Sequence, residues 1–388
     1  MIQREIAPKV LELFQYYPIV SLTGPRQSGK TTLLKSLFPE KPYVTLENPD
    51  TRLLATTDPR RFLAAYTEGA ILDEVQNVPQ LFSYLQGIVD DNPQRKFVLS
   101  GSQNFLLLQN ITQSLAGRVG ILNLLPFSQS EISKTEIKLS LYDALFKGGY
   151  PAIYDRYTPT NIFFSNYLTT YLERDVRNII NVGNLSTFNR FLKLCAGRAG
   201  QIINMASFAS DVGISPLTVK SWLSVLEASN IIILLQPYYK NMGKRLVKMP
   251  KLYFTDTGLA CYLLNIASAE QLSTHHAIGA IFENYVVLEL LKQRLNKGLA
   301  SNLYFWRDNH GSEIDLLLET TNGLVSIEIK SAQTHHSDFF KGLRYWQNLA
   351  EQKPENSFVV YGGDDSFERE FGQVLSWKNL ADIGKLNQ

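Results

Sequence analysis

The sequence predicts an α/β protein in which a parallel sheet is followed by a helical region and then by a second α/β region. Three observations predict this fold class. Short apolar strands alternate with helices in the first third of the chain, amphipathic helices fill the middle, and polar residues alternate with apolar ones in two strands near the C-terminus. These changes of pattern predict four domains, at residues 1–126, 127–200, 201–258 and 259–388.

Composition excludes several classes of protein. Hydrophobic residues make up 45% and charged residues 19% of the chain, which excludes a disordered chain. Lysine and arginine number 38 against 36 aspartates and glutamates, which excludes a uniformly basic surface but not a local one. Two cysteines exclude a disulfide framework and a four-cysteine zinc site, and the five histidines lack the spacing of metal ligands. No apolar run approaches the ~20 residues of a membrane helix, and the N-terminus has no signal-peptide pattern, so we expect a cytoplasmic protein with no membrane partner.

A glycine-rich loop follows the first predicted strand. Residues 19–22 lead into the sequence GPRQSGKTT, and an apolar helix begins directly afterwards. Glycines allow backbone N–H groups to close around phosphate oxygens, and the helix N-terminus adds its positive dipole end. The lysine can reach the β- and γ-phosphates of a nucleotide, and the threonine after it can ligate Mg²⁺. The predicted nucleotide-binding residues are Gly24, Pro25, Arg26, Gln27, Ser28, Gly29, Lys30, Thr31 and Thr32.

A second motif supports this interpretation. An apolar strand at residues 70–72 ends in Asp73 and Glu74. Asp73 would hold the water shell of Mg²⁺, and Glu74 would orient or activate the attacking water. Further strands alternate with helices at residues 43–46, 96–102 and 119–125. Such alternation predicts a doubly wound parallel sheet with the nucleotide at the carboxyl ends of its strands.

Two polar residues near these strands are further candidates. Ser102 follows a strand, where a γ-phosphate sensor would lie, although a strand-ending turn would also place a serine there. Arg118 precedes the last strand, where a cation could neutralise transition-state charge within one chain or across a subunit boundary. The alternative for Arg118 is a solvated loop arginine, and oligomerisation follows only if it acts across a boundary.

The stretches GPRQSGKTTLL, ILDEVQ, LSGSQN and LAGRVG resemble those of AAA-type P-loop ATPases. More narrowly, the chain resembles a prokaryotic family in which such an ATPase is fused to a C-terminal domain of unknown function. The resemblance covers nearly the whole chain. It implies ATP and Mg²⁺ as ligands and ATP hydrolysis as the activity, with Lys30 and Glu74 among the catalytic residues.

The middle of the chain predicts helices followed by a winged helix. Residues 163–180 have the spacing of an amphipathic helix, which contains Arg174, either a solvated residue or a lid arginine that senses nucleotide. Residues 204–226 are typical of two helices joined by a glycine turn, and apolar strands follow at residues 231–235 and 252–254. Two helices followed by a β-hairpin form the winged-helix arrangement.

The loop between those two strands carries a local basic patch. Residues 240–251 contain lysines and an arginine but no acid. Such a patch suits contacts with DNA phosphates, mostly independent of sequence. Winged helices also serve as protein–protein modules, so a protein partner remains the alternative. The predicted nucleic-acid contacts are Lys240, Lys244, Arg245, Lys248 and Lys251.

The last region predicts a site made of carboxylates and a lysine. Glu283 lies near the start of a long helix, Asp315 lies on a strand, and Glu328 and Lys330 share one face of the next strand. This ordered set resembles the PD-(D/E)xK nuclease superfamily. The three carboxylates would form a second Mg²⁺ or Mn²⁺ site, and Lys330 would position or activate a water. A domain of this kind can cleave DNA or persist as a binding scaffold, and the sequence leaves both open.

Functions of different classes follow from these motifs. The first is an ATPase whose hydrolysis cycle repositions the winged helix and the nuclease-like domain on DNA. The second is a regulatory switch whose C-terminal half binds a protein partner and cuts nothing. A transcription regulator is a third, and it requires a sequence-selective component of DNA binding.

Overall fold

The computed structural model describes residues 2–102, 114–172, 185–239 and 248–386. The chain forms two compact units. Unit 1 comprises Met1–Phe127, Ala228–Asn230 and Leu295–Leu299, and unit 2 comprises Ser128–Glu227, Ile231–Arg294 and Ala300–Gln388. Across the described residues, no helix combines the length and the apolar composition that crossing a membrane requires.

Unit 1 alternates strands and helices along the chain, as its sequence pattern predicts. Its helices are α1 (Ala7–Tyr16), α2 (Lys30–Leu37), α3 (Pro49–Thr57), α4 (Pro59–Ala64) and α5 (Leu81–Asp91). Its strands are β1 (Ile19–Thr23), β2 (Tyr43–Thr45), β3 (Ile71–Asp73), β4 (Phe97–Gly101) and β5 (Val119–Asn123).

The strands described in unit 1 form one parallel sheet in the order β2-β3-β4-β1-β5. Successive side chains alternate between two apolar layers. Ile71 and Val98 pack in the layer that contains α1 and α2, whereas Leu72 and Leu99 pack in the layer that contains α5. The predicted parallel α/β fold is therefore confirmed, and the carboxyl ends of β1, β3 and β4 meet at one edge of the sheet.

Unit 2 begins with helices and ends with a sheet. Its helices are α6 (Gln129–Ser133), α7 (Leu141–Lys147), α8 (Pro151–Asp155), α9 (Thr160–Tyr167), α10 (Leu185–Gly197), α11 (Met205–Val212), α12 (Pro216–Ala228), α13 (Thr257–Leu263), α14 (Ala269–Thr274), α15 (Ile278–Asn296), α16 (Lys341–Ala350) and α17 (Leu380–Leu386). Its strands are β6 (Ile232–Leu235), β7 (Lys251–Phe254), β8 (Leu303–Arg307), β9 (Glu313–Thr320), β10 (Gly323–Lys330), β11 (Ser357–Tyr361), β12 (Phe367–Arg369) and β13 (Gly372–Ser376). The predicted helix at residues 163–180 corresponds to α9 and the helical turn Leu168–Leu172, and its remainder, with Arg174, lies outside the described residues.

Helices α11 and α12 are joined by a tight turn. Asn204 caps α11 by accepting a hydrogen bond from the Ser207 N–H at 3.1 Å. Gly213 ends α11 with a φ of 78°, a left-handed conformation that favours glycine. The Ser215 hydroxyl oxygen then accepts the Thr218 N–H at 3.0 Å at the start of α12. Since β6 and β7 pair antiparallel, two helices and a turn are followed by a two-stranded sheet.

Aromatic packing holds α12 against α10. The Trp222 ring lies 5.2 Å from the Phe188 ring and 5.3 Å from the Phe191 ring, measured between centroids. Lys220 and Ser221 lie on the exposed face of the same helix. One side of α12 therefore builds the core, and the other is open to solvent.

The described C-terminal strands form a mixed sheet in the order β12-β13-β11-β10-β9-β8. Ile327 pairs with Leu316 in the antiparallel register of β9 and β10, and both side chains are buried. Alternation along each strand then places Asp315 and Glu328 side by side on the opposite face. The sheet thus positions two of the predicted site residues.

Candidate functional site

The loop between β1 and α2 needs glycine at its first position. Gly24 has a φ of 147°, and a Cβ there would lie 2.1 Å from the Leu124 carbonyl oxygen, so a side chain does not fit. Gln27 and Gly29 also have positive φ, at 59° and 94°. These turns close the loop immediately before α2 begins at Lys30.

Lys30 lies across this loop. Its ammonium donates hydrogen bonds to the carbonyl oxygens of Gly24 at 2.9 Å and Pro25 at 2.8 Å, and the residue is buried. The other predicted loop residues surround it in the same turn. Pro25 and Ser28 are buried, Gln27 is exposed, and Arg26 forms an ion pair with Glu47 at 3.2 Å.

The sequence did not indicate that Arg4 supports this loop. Its guanidinium donates to the Ser28 carbonyl oxygen at 2.7 Å and to the Leu125 carbonyl oxygen at 2.6 Å, and it lies 4.7 Å from the Phe127 ring. Arg4 therefore joins the nucleotide-binding loop to the end of the sheet. It belongs to no motif in the sequence, so only the fold reveals it.

Asp73 receives hydrogen bonds from three elements. Its Oδ2 accepts the Thr31 hydroxyl at 3.0 Å and the Tyr43 hydroxyl at 2.5 Å, and its Oδ1 accepts the Ser100 hydroxyl and the Glu74 N–H. Burial and the neighbouring Asp73 carboxylate raise the pKa of Tyr43, so the phenol remains a donor. The sequence predicted Thr31 and Asp73 as metal ligands, and the structure brings these two oxygens together.

Glu74 lies at the end of β3 in a left-handed conformation, with a φ of 54°. Its Oε2 accepts a hydrogen bond from the Ser102 hydroxyl at 3.2 Å and another from the Gln76 amide. The structure therefore places the predicted base and the predicted sensor in contact. Gln76 was missed, although its position two residues after the carboxylate pair was a signal.

Arg118 lies outside this group of contacts. Its guanidinium forms two hydrogen bonds with Asp90 at 2.5 and 2.8 Å and one with the Ala116 carbonyl oxygen at 3.0 Å. Both side chains of the ion pair are partly exposed. Arg118 is thus neither catalytically engaged nor simply solvated in this conformation, and its predicted role stays a prediction.

A second charged site lies in unit 2. The Glu283 Oε1 accepts hydrogen bonds from the Lys251 ammonium at 2.9 Å and the Tyr253 hydroxyl at 2.6 Å. The same ammonium lies 2.5 Å from the Glu313 Oε1. Burial raises the pKa of Glu283, while Lys251 opposes that change.

The other predicted residues complete this cluster. The Lys330 ammonium lies 2.8 Å from the Glu328 Oε2 and 3.6 Å from the Asp315 Oδ2. Asp315 also accepts the Ile329 N–H at 2.8 Å. Burial, followed by the Asp315 charge, raises the pKa of Glu328 to about 8. We refer to Lys251, Glu283, Glu313, Asp315, Glu328 and Lys330 as the carboxylate–lysine cluster.

The carboxylate–lysine cluster does not fit a metal ion in this conformation. Ammonium groups, rather than open space, lie against its carboxylates. Among the residues that the structure describes, no group of three or more His, Cys, Asp or Glu side chains has the arrangement of a metal site. The residues predicted from the sequence do lie in one cluster, but their geometry does not provide the predicted second Mg²⁺ or Mn²⁺ site.

The predicted nucleic-acid contacts need one correction. Lys251 was predicted as an exposed phosphate contact, yet only 2% of it is exposed because its ammonium is enclosed by Glu283 and Glu313. Lys248 is exposed, and its carbonyl oxygen accepts the Tyr239 hydroxyl at 2.9 Å. The remaining predicted contacts, Lys240, Lys244 and Arg245, lie outside the described residues.

Comparison with protein families divides the chain into three regions. Residues 16–133 match a family model described as an AAA domain. Residues 138–270 match a domain of unknown function (DUF8612), and residues 278–380 match another domain of unknown function (DUF4143).

Individual proteins are similar over most of the chain. The uncharacterised proteins Mb2031c of Mycobacterium bovis and Rv2008c of Mycobacterium tuberculosis are each 32% identical over 373 residues, covering 94% of this chain and 81% of the relative. The solved structure of the Walker-type ATPase PABY2304 of Pyrococcus abyssi has a TM-score of 0.50 at 16% identity, covering 68% of this chain and 96% of that chain, which shows a shared fold. Residues 16–133 are therefore an AAA domain with the fold of a P-loop ATPase, and the chain belongs to the same family as the two mycobacterial proteins.

Proposed function

We propose that unit 1 binds ATP with Mg²⁺ and hydrolyses it, and that the hydrolysis cycle acts on DNA through unit 2. In the first part, the Lys30 ammonium exchanges the carbonyl oxygens of Gly24 and Pro25 for phosphate oxygens. Charged acceptors form the stronger hydrogen bonds with an ammonium, so this exchange is favourable. The backbone N–H groups at the start of α2 hold the same phosphates.

The contact between Thr31 and Asp73 carries this proposal. A hydroxyl and a carboxylate oxygen 3.0 Å apart, next to a phosphate-binding loop, are the oxygen donors that Mg²⁺ takes at such sites. Bound there, Mg²⁺ would neutralise charge on the β- and γ-phosphates. Tyr43 and Ser100 fix the Asp73 carboxylate, so it does not need to reorganise when nucleotide binds.

Glu74 acts on the attacking water in this proposal. The Ser102 hydroxyl and the Gln76 amide hold one of its oxygens, which leaves the other to accept a proton from water. The test is ATP turnover and ATP binding in Lys30→Ala and Glu74→Gln, with Glu40→Gln as the exposed control. We expect Glu74→Gln to bind ATP but to lose turnover by about 100-fold or more. A Glu74→Gln variant with full turnover would contradict the assignment.

DNA is the proposed object of the cycle. The support is the order of α11, α12, β6 and β7, two helices followed by a two-stranded sheet as expected of a winged helix, with Lys220 and Ser221 on the exposed face of α12 and Lys248 exposed before β7. The test compares ATP turnover with and without duplex DNA in the wild type and in Lys220→Glu. We expect DNA to stimulate turnover, less so in the variant, and indifference to DNA would contradict this part.

A second candidate is a switch that binds a protein partner and cuts nothing. The observation that favours it is the pairing of Lys251 and Lys330 with the carboxylates that a nuclease would need for metal. DNA cleavage measured with Mg²⁺ and with Mn²⁺, together with the effect of DNA on ATP turnover, distinguishes the candidates. Cleavage that survives Lys30→Ala but is lost in Asp315→Ala would contradict the switch, whereas no cleavage under either metal together with ATP turnover that is indifferent to DNA would favour it.

A further inference from the structure

We propose that Lys251 is the resident cation of the carboxylate–lysine cluster, and that its ammonium and a divalent metal ion exclude each other there. This exclusion lies within unit 2 and does not depend on ATP hydrolysis. The Lys251 ammonium contacts carboxylates that a metal ion would need and in this way keeps the metal ion out.

Lys251 is enclosed on several sides. Its ammonium contacts the Glu283 Oε1 at 2.9 Å and the Glu313 Oε1 at 2.5 Å, and it lies 5.5 Å from the centre of the Phe305 ring. Its side chain is only 3% exposed. A buried ammonium is stable only when it is paired, and here two carboxylates pair it.

The two lysines divide the carboxylates into two pairs. Lys251 holds Glu283 and Glu313, and Lys330 holds Glu328 and Asp315. A divalent ion bound by carboxylates of both pairs would lie beside two ammonium groups and would be repelled by them. The Lys330 side chain is 35% exposed and can turn towards water, whereas the Lys251 side chain has no such freedom. Lys251 therefore decides whether the cluster is open to metal.

The backbone fixes Lys251 in this position. Lys251 is the first residue of β7, where it pairs with Leu235 of β6 and forms an isolated bridge with Ile202. Gly200, at a φ of 74°, packs directly on the Glu283 carboxylate, and a Cβ at that position would lie 3.3 Å from the Glu283 Oε2. The segment around β7 therefore covers the cluster, and withdrawal of Lys251 requires movement of this segment.

Mn²⁺ binding without nucleotide tests the proposal. All proteins carry Asp73→Asn, which removes a carboxylate ligand from the separate metal site proposed in unit 1, and this single variant is the parent. Lys251→Met removes the charge and keeps most of the aliphatic stem, and Lys248→Ala is the control at a nearby exposed lysine. We expect the parent and the control to show no Mn²⁺ bound at the cluster, and Lys251→Met to gain one Mn²⁺ that Asp315→Ala removes again.

A second variant keeps the test decisive if Lys251→Met does not fold. Lys251→Gln also removes the charge, and its side-chain amide can still donate hydrogen bonds to the Glu283 and Glu313 carboxylates, so it leaves fewer buried acceptors without a donor. We expect it to bind Mn²⁺ at least 10-fold more tightly than the parent and to melt at a higher temperature when Mn²⁺ is added. Binding by the parent that Asp315→Ala abolishes would overturn the proposal. Folded variants that bind Mn²⁺ no better than the parent would also overturn it.

Discussion

The Thr31 hydroxyl donates a hydrogen bond to the Asp73 Oδ2 at 3.0 Å, so the first turn of α2 is tied to the end of β3. We predict that Thr31→Val lowers Mg²⁺-dependent ATP turnover by about 100-fold, because the variant loses a metal ligand while the loop keeps its shape. Nucleotide binding measured in EDTA should change little. The matched control is Thr56→Val on the exposed face of α3. Equal loss of nucleotide binding with and without Mg²⁺ would show that the loop had collapsed instead.

Ser102 touches the Glu74 carboxylate rather than standing alone at the end of β4. We predict that Ser102→Ala lowers kcat for ATP by about 10- to 100-fold with little change in KM. The lost hydroxyl orients the Glu74 carboxylate, so its removal affects the transition state more than the binding of ATP in the ground state. Gln76→Ala should give a smaller loss of the same kind, since the Ser102 contact remains. Steady-state turnover over a range of ATP concentrations checks both variants, and a rise in KM with unchanged kcat would point to a binding role.

The sequence was sufficient for the parallel sheet and for the loop before α2, because strand alternation, glycine placement and the carboxylates after β3 are local patterns. It also named Glu283, Asp315, Glu328 and Lys330, which the fold brings into one cluster. It did not reveal that Lys251 belongs to that cluster. A lysine in a basic segment looks like a solvated charge, and only the pairing of β7 with β6 turns it inwards.

Arg4 and Tyr43 were missed for a related reason. Each reaches the nucleotide site from an element that carries no motif, and each contact joins residues far apart in the chain. Such contacts depend on the packing of the sheet and not on the spacing of residues. In unit 2, local patterns predict the helices but not which helices pack together, such as the contact between Trp222 and Phe188.

The pairing of Arg118 with Asp90 gives a prediction about catalysis across subunits. Both groups are partly exposed, so the ion pair can exchange for another partner. We predict that Arg118→Ala lowers ATP turnover by about 1,000-fold while Asp90→Ala maintains it, since an arginine supplied to the transition state contributes on this scale. The two variants remove the same ion pair, so a purely structural role would make them equally harmful.

Mixing separates action within one chain from action across a boundary. Arg118→Ala keeps an intact nucleotide site, and Lys30→Ala keeps an intact arginine. We expect the mixture to turn over more ATP than the sum of the two proteins alone, because Arg118 precedes β5 and so lies at the amino-terminal edge of the parallel sheet, whereas Glu74 follows β3 at the carboxyl edge. Additive turnover at every mixing ratio would contradict action across a subunit boundary.

Asp256 gives unit 2 a dependence on pH. Its carboxylate is buried, accepts the Gly149 N–H at 2.7 Å and the Leu259 N–H at 3.0 Å, and caps α13. Burial raises its pKa from 3.8 to about 6, against the backbone hydrogen bonds that favour the charged form. The folded state therefore binds the proton more tightly than the unfolded state. The contribution of this group to stability is complete below pH 4 and is lost as the pH rises to 6, on the order of 3 kcal/mol.

Asp256→Asn should remove that part of the pH dependence. The amide does not ionise, so the free energy of unfolding of the variant should change less between pH 4 and pH 6 than that of the wild type. It should also be lower overall, because one of the two buried N–H groups loses its acceptor.

Urea unfolding followed by tryptophan fluorescence reports on unit 2, since all four tryptophans lie there. The Glu328 carboxyl adds a second fall in stability up to about pH 8 that both proteins share, so the difference between their curves isolates Asp256. Asp155→Asn, at an exposed position in α8, is the matched control, and parallel curves for wild type and Asp256→Asn would refute the assignment.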